Sequence, residues 1–403
     1  MNNKDYHGKY GKHFNYLAAN YDFRFNVVIG RFQYRQLKKG KPSKKFKWSS
    51  YDDRVKARLM IEMMDEDLEL PSGKFDLFVE SDDVSLDYDP FEEYFNNIGD
   101  WDGKVDYIRQ IANTVKTDDD ERFYEVLKRF LVGTLDCLLK EDSVNDVCLV
   151  FQSGQGKGKT RWMRSLLPKQ FQREYLYEGS IDTKNKDHTQ YLAQFWFIHL
   201  DELETLKSND ISAIKSYITR QRISLRTAYA RYKSNMIRRA SFLGSVNEDK
   251  FLSDITGNRR WLVFKTSEIN YEHKVDVDKL WAQVFDIYKN GFKHWFDIEE
   301  IRQINAQNEK FRTTSFDEEV LIKNFDFPET GSGELMSTSE VMMRLIESNP
   351  LLSNKLNNVR LGKALSRYAK FKKHQSGVNK YNVSFKGDDS PFKKDPDNDD
   401  LPF

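Results

Sequence analysis

Two cysteines in 403 residues, Cys137 and Cys148, both inside apolar runs, leave no basis for a disulfide framework. No Cys/His cluster has zinc spacing, which argues against a zinc ribbon. No apolar run approaches the roughly 18–20 residues of a membrane span. The first residues are polar and charged, unlike a secretory signal. These absences predict a soluble protein of a reducing, cytoplasmic compartment with no membrane partner. A dominant charge is missing too: the formal net charge is only +1, although 32% of residues are charged. Binding to nucleic acid therefore has to come from local patches. What the chain does have is length for two or three domains and 14% aromatic residues, which suits a folded protein.

The most specific segment is Ser153-Gly154-Gln155-Gly156-Lys157-Gly158-Lys159-Thr160. The apolar run Val147 to Phe151 before it reads as a buried strand, and Arg161 to Leu167 after it reads as a helix ending at Pro168. Strand, glycine-rich turn and helix form a phosphate-binding loop. Backbone N–H groups from Gly154 through Arg161 wrap the phosphates of ATP, Lys159 reaches the terminal ones, and Thr160 holds Mg²⁺. Ser153 stands where the usual spacing asks for glycine. A glycine-rich loop with an incidental Gly-Lys-Thr is the alternative.

A second apolar run, Phe195 to Leu200, ends in Asp201-Glu202. Beside a phosphate loop, Asp201 would hold the magnesium and Glu202 would polarise the attacking water. The same pair also suits a helix cap. A third run, Ala240 to Val246, ends at Asn247, either a turn former or a sensor of the γ-phosphate. Arg259 and Arg260 follow at a turn before another apolar strand; they read either as arginines supplied to a neighbouring subunit's phosphate or as structural ion-pair partners. Between the second and third runs, Arg226, Tyr229, Arg231, Tyr232 and Lys233 interleave charge with aromatic faces, and Arg238 and Arg239 follow. Such a stretch suits single-stranded DNA or a plain surface hairpin.

Elsewhere the signals are coarser. Residues 1–88 form a mixed α+β region, with Arg24 to Gly30 extended. The lysine-rich tract 38–47, next to Phe46 and Trp48, is either a solvated turn or a phosphate-contacting loop. Residues 89–143 are helical; Tyr107, Ile108, Ile111 and Val115 share one helical stripe, and Phe130, Leu131, Leu135 and Leu138 another. The ATPase domain spans 144–325, and 326–337 reads as a linker. Residues 338–386 form a winged-helix-like domain with a basic face that includes Arg360, Lys363, Arg367, Lys370 and Lys380. Residues 387–403 form a disordered acidic tail.

Together, Pro90-Phe91-Glu92-Glu93-Tyr94, Trp101-Asp102-Gly103-Lys104, the 155–160 loop, Leu200-Asp201-Glu202-Leu203-Glu204, Gly244-Ser245-Val246-Asn247 and Thr256-Gly257-Asn258-Arg259-Arg260 resemble the virulence-associated protein E family of phages and mobile elements. The resemblance implies an α/β fold with an AAA+-like P-loop ATPase core, often oligomeric, working in replication. A hexameric DNA helicase or translocase is the expected activity. A non-unwinding ATPase that remodels replication proteins is the alternative, as is a DNA-binding interference protein with a structural nucleotide site. The first hundred residues carry no primase signature. Asp399-Asp400-Leu401-Pro402-Phe403 resembles the acidic tip of single-stranded-DNA-binding proteins, which implies host replication proteins as partners.

Overall fold

The computed structural model describes residues 5–38, 40–42, 47–205, 208–225, 234–252, 258–329, 333–375 and 377–389. The chain divides into two compact units, Met1–Phe311 and Arg312–Phe403.

The first unit opens with α1 (Gly11–Asn20), β1 (Tyr21–Asn26), β2 (Arg31–Gln36), β3 (Ser49–Ser50), α2 (Asp53–Met64), α3 (Ser72–Val79) and β4 (Ser85–Tyr88). The strands form a sheet of order β3-β2-β1-β4, with β1 antiparallel to β2 and parallel to β4. Side chains alternate along β1. Tyr21 and Phe23 join Leu17, Leu59, Phe75 and Phe78 in a core under the helices, which leaves Asp22, Arg24 and Asn26 for the opposite face. The sequence predicts extended chain through Gly30, but β1 stops at Asn26. The Asn26 side-chain oxygen accepts the N–H groups of Val28 (3.1 Å) and Ile29 (3.2 Å), turning the backbone, and Gly30 takes a positive φ of 66°.

A helical layer follows: α4 (Pro90–Asn97), α5 (Tyr107–Ala112), the short strand β5 (Val115–Thr117) and α6 (Asp120–Leu139). Val115 therefore leaves the helical stripe assigned to it. Thr114 donates its hydroxyl to the Ile111 carbonyl at 2.7 Å, closing the helix, and Val115 pairs with Ile269. In α6 the predicted stripe of Phe130, Leu131, Leu135 and Leu138 is buried.

Next come β6 (Cys148–Gln152), α7 (Lys159–Ser165), β7 (Leu176–Glu178), α8 (Lys186–Gln194), β8 (Phe197–Leu200), α9 (Ser208–Ile218), β9 (Ile223–Leu225), β10 (Ser234–Met236), β11 (Ser241–Val246), β12 (Trp261–Ile269), α10 (Val277–Lys289) and α11 (Ile298–Asn308). The central sheet runs β5-β12-β6-β11-β8-β7. Its last five strands are parallel, and β5 is an antiparallel edge. Both faces are covered, as parallel sheets require. Leu149, Phe151, Leu243 and Phe264 face one core, shared with α6, α7 and α10. Cys148, Val150, Phe242 and Val263 face a second, shared with α8 and α9. Trp162 on α7 is fully buried, worth on the order of 4–6 kcal/mol of transfer free energy for an aromatic of about 150–250 Å². Its indole N–H donates to Thr114 Oγ1 at 2.7 Å, which fixes the helix directly after Lys159 and Thr160.

The second unit contains α12 (Phe316–Asn324), β13 (Phe325–Asp326), β14 (Glu334–Ser337), α13 (Thr338–Ser348), α14 (Asn358–Tyr368), β15 (Lys372–Gln375) and β16 (Val378–Phe385). β16 pairs antiparallel with β13, β14 and β15. Leu321, Phe325, Val341, Leu345, Leu361 and Leu365 form its core. The unit thus begins before the stretch read as a linker, and residues 334–337 of that stretch form a strand. Glycine, serine and threonine in short edge elements resemble a linker when pairing partners some fifty residues away are unseen. No helix among the described residues is long and apolar enough to cross a membrane.

Candidate functional site

The loop after β6 emerges at the carboxyl end of the parallel sheet, where ligands of such sheets bind. Ser153 is buried, and its N–H donates to the Val246 carbonyl at 3.1 Å, tying the loop to β11. Left-handed backbone occurs at Gly156 (φ 78°) and Gly158 (φ 87°), not at Ser153, so the serine brings no backbone strain to the turn, although its buried hydroxyl has no hydrogen-bond partner among the described residues. Gly158 is required twice over. A Cβ there would lie 2.1 Å from a ring carbon of Tyr271, whose ring also carries the Arg161 guanidinium at 5.1 Å.

Lys159 opens α7 and is buried. Its ammonium donates to the carbonyls of Ser153 (2.6 Å) and Gly154 (3.1 Å) and to Asn247 Oδ1 (2.9 Å). Burial lowers its pKa from the usual lysine value, against the opposing pull of Glu204 and Asp201. All three hydrogen-bond acceptors are neutral oxygens, so this buried cation is held without a hydrogen-bonded anion. Asn247, at the end of β11, is positioned in turn by Glu204: one carboxylate oxygen accepts its backbone N–H (3.0 Å) and its side-chain N–H (2.8 Å).

Asp201 and Glu202 follow β8, the strand beyond β11. Asp201 Oδ1 accepts from the Ser245 hydroxyl and from the Glu202 N–H (3.1 Å). Oδ2 has no hydrogen-bond partner among the described residues. Glu202 has φ 52°, one of two non-glycine residues with positive φ among those described. Such a conformation costs about 1–3 kcal/mol and persists where surrounding structure over-determines it. Gln155, Lys157, Lys159, Thr160, Asp201, Glu202 and Asn247 line one cleft of about 480 Å³, closed on one side by Tyr271. Glu204, Ser245 and Tyr271 are additions to the residues expected from sequence. Glu204 carried a signal, since it lies two residues past the acidic pair; Tyr271 carried none.

Other expected residues lie elsewhere. Arg259 and Arg260 precede β12, whose first residue pairs with Cys148, the first residue of β6. The glycine-rich loop leaves the other end of β6, about 15 Å away for a strand of this length. The arginines therefore do not reach the cleft of their own chain. Arg259 lies 3.9 Å from Asp146, and both are half exposed. Burial, then the Arg259 charge, lowers the Arg260 pKa, while Asp146 opposes this. Arg226, Tyr229, Arg231, Tyr232 and Lys233 fall outside the described residues, but the strands flanking them, β9 and β10, pair antiparallel.

Arg238 and Arg239 are corrections to the basic stretch. Both are buried. Arg238 donates to Cys137 Sγ (2.7 Å) and the Ile218 carbonyl (2.9 Å), and Arg239 pairs with Asp89 (2.5 Å). The basic face of the second unit is thinner than the sequence suggests. Arg360 pairs with buried Asp317, Arg367 with buried Glu318, and Lys370 and Lys380 with Glu329 and Glu340. Lys363 has no ion pair among the described residues. Asp399, Asp400, Leu401, Pro402 and Phe403 lie outside them.

The model of the virulence-associated protein E-like domain matches residues 95–313, more than half of the chain. The chain belongs to this family. All of the cleft-lining residues fall within the VapE-like domain; the sheet β3-β2-β1-β4 and nearly all of the second unit lie outside it. Solved structures of the C-terminal region of NrS-1 are also similar. One apo structure covers 92% of this chain and 98% of its own at 13% identity and a TM-score of 0.47. Two others, in the A form, give 13% and 12% identity with TM-scores of 0.43 and 0.44. Comparison with curated proteins yields no match.

Proposed function

We propose that this VapE-like chain is a P-loop ATPase with an AAA+-like core that translocates on or unwinds DNA during replication of a phage or other mobile element. One observation carries the reading: Lys159, Thr160, Asp201, Glu202 and Asn247 come from three adjacent parallel strands and line a single cleft. A buried ammonium bound only by neutral oxygens is suited to exchange them for phosphate oxygens. The Thr160 hydroxyl and the Asp201 carboxylate suit Mg²⁺, which takes one or two carboxylates beside phosphate oxygens and water. When bound, the ion neutralises charge on the phosphates. Glu202 orients and polarises the attacking water, and Asn247, held by Glu204, contacts the terminal phosphate.

Arg259 and Arg260 act on a neighbouring subunit's nucleotide, which makes an oligomer, a hexameric ring in this reading, part of the mechanism. Mixing Arg260→Ala with Lys159→Ala subunits then restores hydrolysis that each lacks alone. Residues 226–233, between β9 and β10, carry single-stranded DNA, and the second unit, with two helices followed by a strand hairpin, is a winged-helix-like binder of duplex DNA. The acidic segment ending in Leu401-Pro402-Phe403 docks on host replication proteins that bind single-stranded-DNA-binding-protein tips.

A forked-duplex assay tests the reading. The wild type is expected to unwind with ATP, and Glu202→Gln to bind nucleotide but not unwind. Hydrolysis without strand separation would move the function to remodelling of other proteins. Full biological function in Lys159→Ala would make the nucleotide site structural.

A further inference from the structure

The N-terminal sheet has one face under α1–α3; on the other, Asn26 is buried and donates to the Tyr175 hydroxyl at 2.9 Å, and the neighbouring residues face α4 across a cleft. Register puts Asp22, Arg24 and Asn26 of β1 opposite Arg35, Gln33 and Arg31 of β2, so this face is polar and rich in guanidinium. It is also aromatic. Arg24 lies 3.3 Å from the ring centre of Tyr88 and 4.2 Å from that of Trp48, and Arg35 lies 4.4 Å from Trp48. Arg24 Nε donates to Gln33 Oε1 at 2.8 Å, and Arg35 is tied to Asp22 at 2.6 Å. The result is a braced ladder of alternating guanidinium and aromatic planes.

Arg24, Gln33, Trp48 and Tyr88 form one wall of a cleft of about 660 Å³, larger than the cleft proposed for nucleotide at about 480 Å³. The opposite wall is α4, residues 170–175 and Asp278 of α10, including Tyr94, Gln170 and Arg173. Two of the three carboxylates there are already engaged. Glu93 lies 3.7 Å from Arg24, and Asp278 accepts the Tyr94 hydroxyl at 2.7 Å. Arg173 is exposed, with no ion pair among the described residues, and Lys47 stands exposed beside Trp48.

We infer that this cleft is a binding site for single-stranded DNA, separate from the nucleotide site and from the β9–β10 hairpin. Aromatic and guanidinium planes stack on bases, free cations meet phosphates, and the Gln33 and Gln170 amides meet base edges. The volume falls in the range of small-ligand clefts, about 300–1,000 Å³, so it takes one or two nucleotide units and excludes a duplex. The site lies on the N-terminal sheet and α4 and, through residues 170–175 and Asp278, reaches into the VapE-like domain, so a strand leaving the proposed motor core would be held by the N-terminal sheet. The inference does not require hydrolysis.

The test uses the full chain without ATP and a fluorescent oligo-dT, followed by anisotropy and by photo-crosslinking with peptide mapping. Trp48→Ala is expected to weaken binding about 5- to 150-fold, the span produced by losing one base–aromatic stack. Arg173→Glu, at an exposed position with no ion pair among the described residues, is expected to weaken binding and to flatten its salt dependence. Both variants keep the DNA-independent ATP hydrolysis of the wild type, and crosslinks fall in 47–48, 88–98 or 170–175. Wild-type affinity in both variants, or crosslinks confined to 223–239, overturns the inference. Competition by dTMP as strong, unit for unit, as the oligonucleotide overturns the assignment to a strand. A wild type that binds oligo-dT through this cleft but hydrolyses no ATP would sink the motor and leave this site standing.

Discussion

Glu204 offers the sharpest test of how the cleft is organised, because one of its carboxylate oxygens holds Asn247 twice, at 3.0 and 2.8 Å, and Asn247 in turn holds Lys159 at 2.9 Å. Hydrogen bonds to a charged group contribute about 1.5–3 kcal/mol each, and these two share a single acceptor oxygen in a half-buried position. A joint contribution of about 2 kcal/mol is therefore reasonable, which corresponds to roughly 30-fold in kcat/KM. Glu204→Ala is expected to lower ATP hydrolysis by that factor. Asn247→Ala should do at least as much, because it removes the group that Glu204 positions. In the double variant the second substitution has little left to remove, so the losses should fall short of additive by about 1–2 kcal/mol. Steady-state phosphate release across a range of ATP concentrations supplies all four corners of the cycle. Losses that add fully would refute the positioning role. An Asn247→Ala background that leaves the entire Glu204 effect intact would show that the carboxylate acts on water or substrate directly.

Other outcomes follow from particular contacts. Gly158→Ala imposes left-handed backbone on a residue with a Cβ, about 1–2 kcal/mol, and drives that carbon into Tyr271. Nucleotide affinity should fall at least tenfold in calorimetry, whereas Gly154→Ala, with nothing within 4 Å and no positive φ, should fold as the wild type. Asp89→Ala strands the Arg239 guanidinium in a site where the two side chains are 5% and 7% exposed. Breaking such a pair costs about 3–5 kcal/mol, measurable as a lower urea midpoint; a change under about 1 kcal/mol would contradict the buried pair. His199 is buried in β8, and burial lowers its pKa from 6.5, with Asp201 and Glu178 opposing. The unfolded chain then binds the proton that the fold refuses. Stability is complete above pH 6.5 and erodes as pH falls toward the folded value, by at most about 1.4 kcal/mol per pH unit. His199→Leu should flatten that acid slope in thermal melts between pH 7.5 and 5, and an unchanged slope would reject it.

Much of the cleft proposed to take nucleotide was legible in the amino-acid order, because its parts are local. An apolar run, glycines where the backbone turns left-handed, and Lys-Thr at a helix start announce themselves within ten residues. Asp201, Glu202 and Asn247 were readable for the same reason, each at the end of an apolar run. What was not legible depended on distant pairing. Arg238 and Arg239 look like surface charge until Cys137 and Asp89, about 100 and 150 residues earlier, are brought to them. Val115 fits a helical stripe by spacing, and only its partner Ile269 reveals a strand. The parallel pairing of β1 with β4, across some sixty residues, and the pairing of β3 with β2 bring Arg24, Tyr88 and Trp48 together from three segments that separately look unremarkable. Glu204 belongs between these cases: its position was visible, but its grip on Asn247 was not.

Titration calorimetry of a non-hydrolysable ATP analogue with Mg²⁺, on wild type and Lys159→Ala in parallel, bears most directly on the whole account. Saturable binding by the wild type, weakened at least a hundredfold in Lys159→Ala and dependent on Mg²⁺, is the expected result. No binding by folded wild-type protein, or equal affinity in the two proteins, would contradict it.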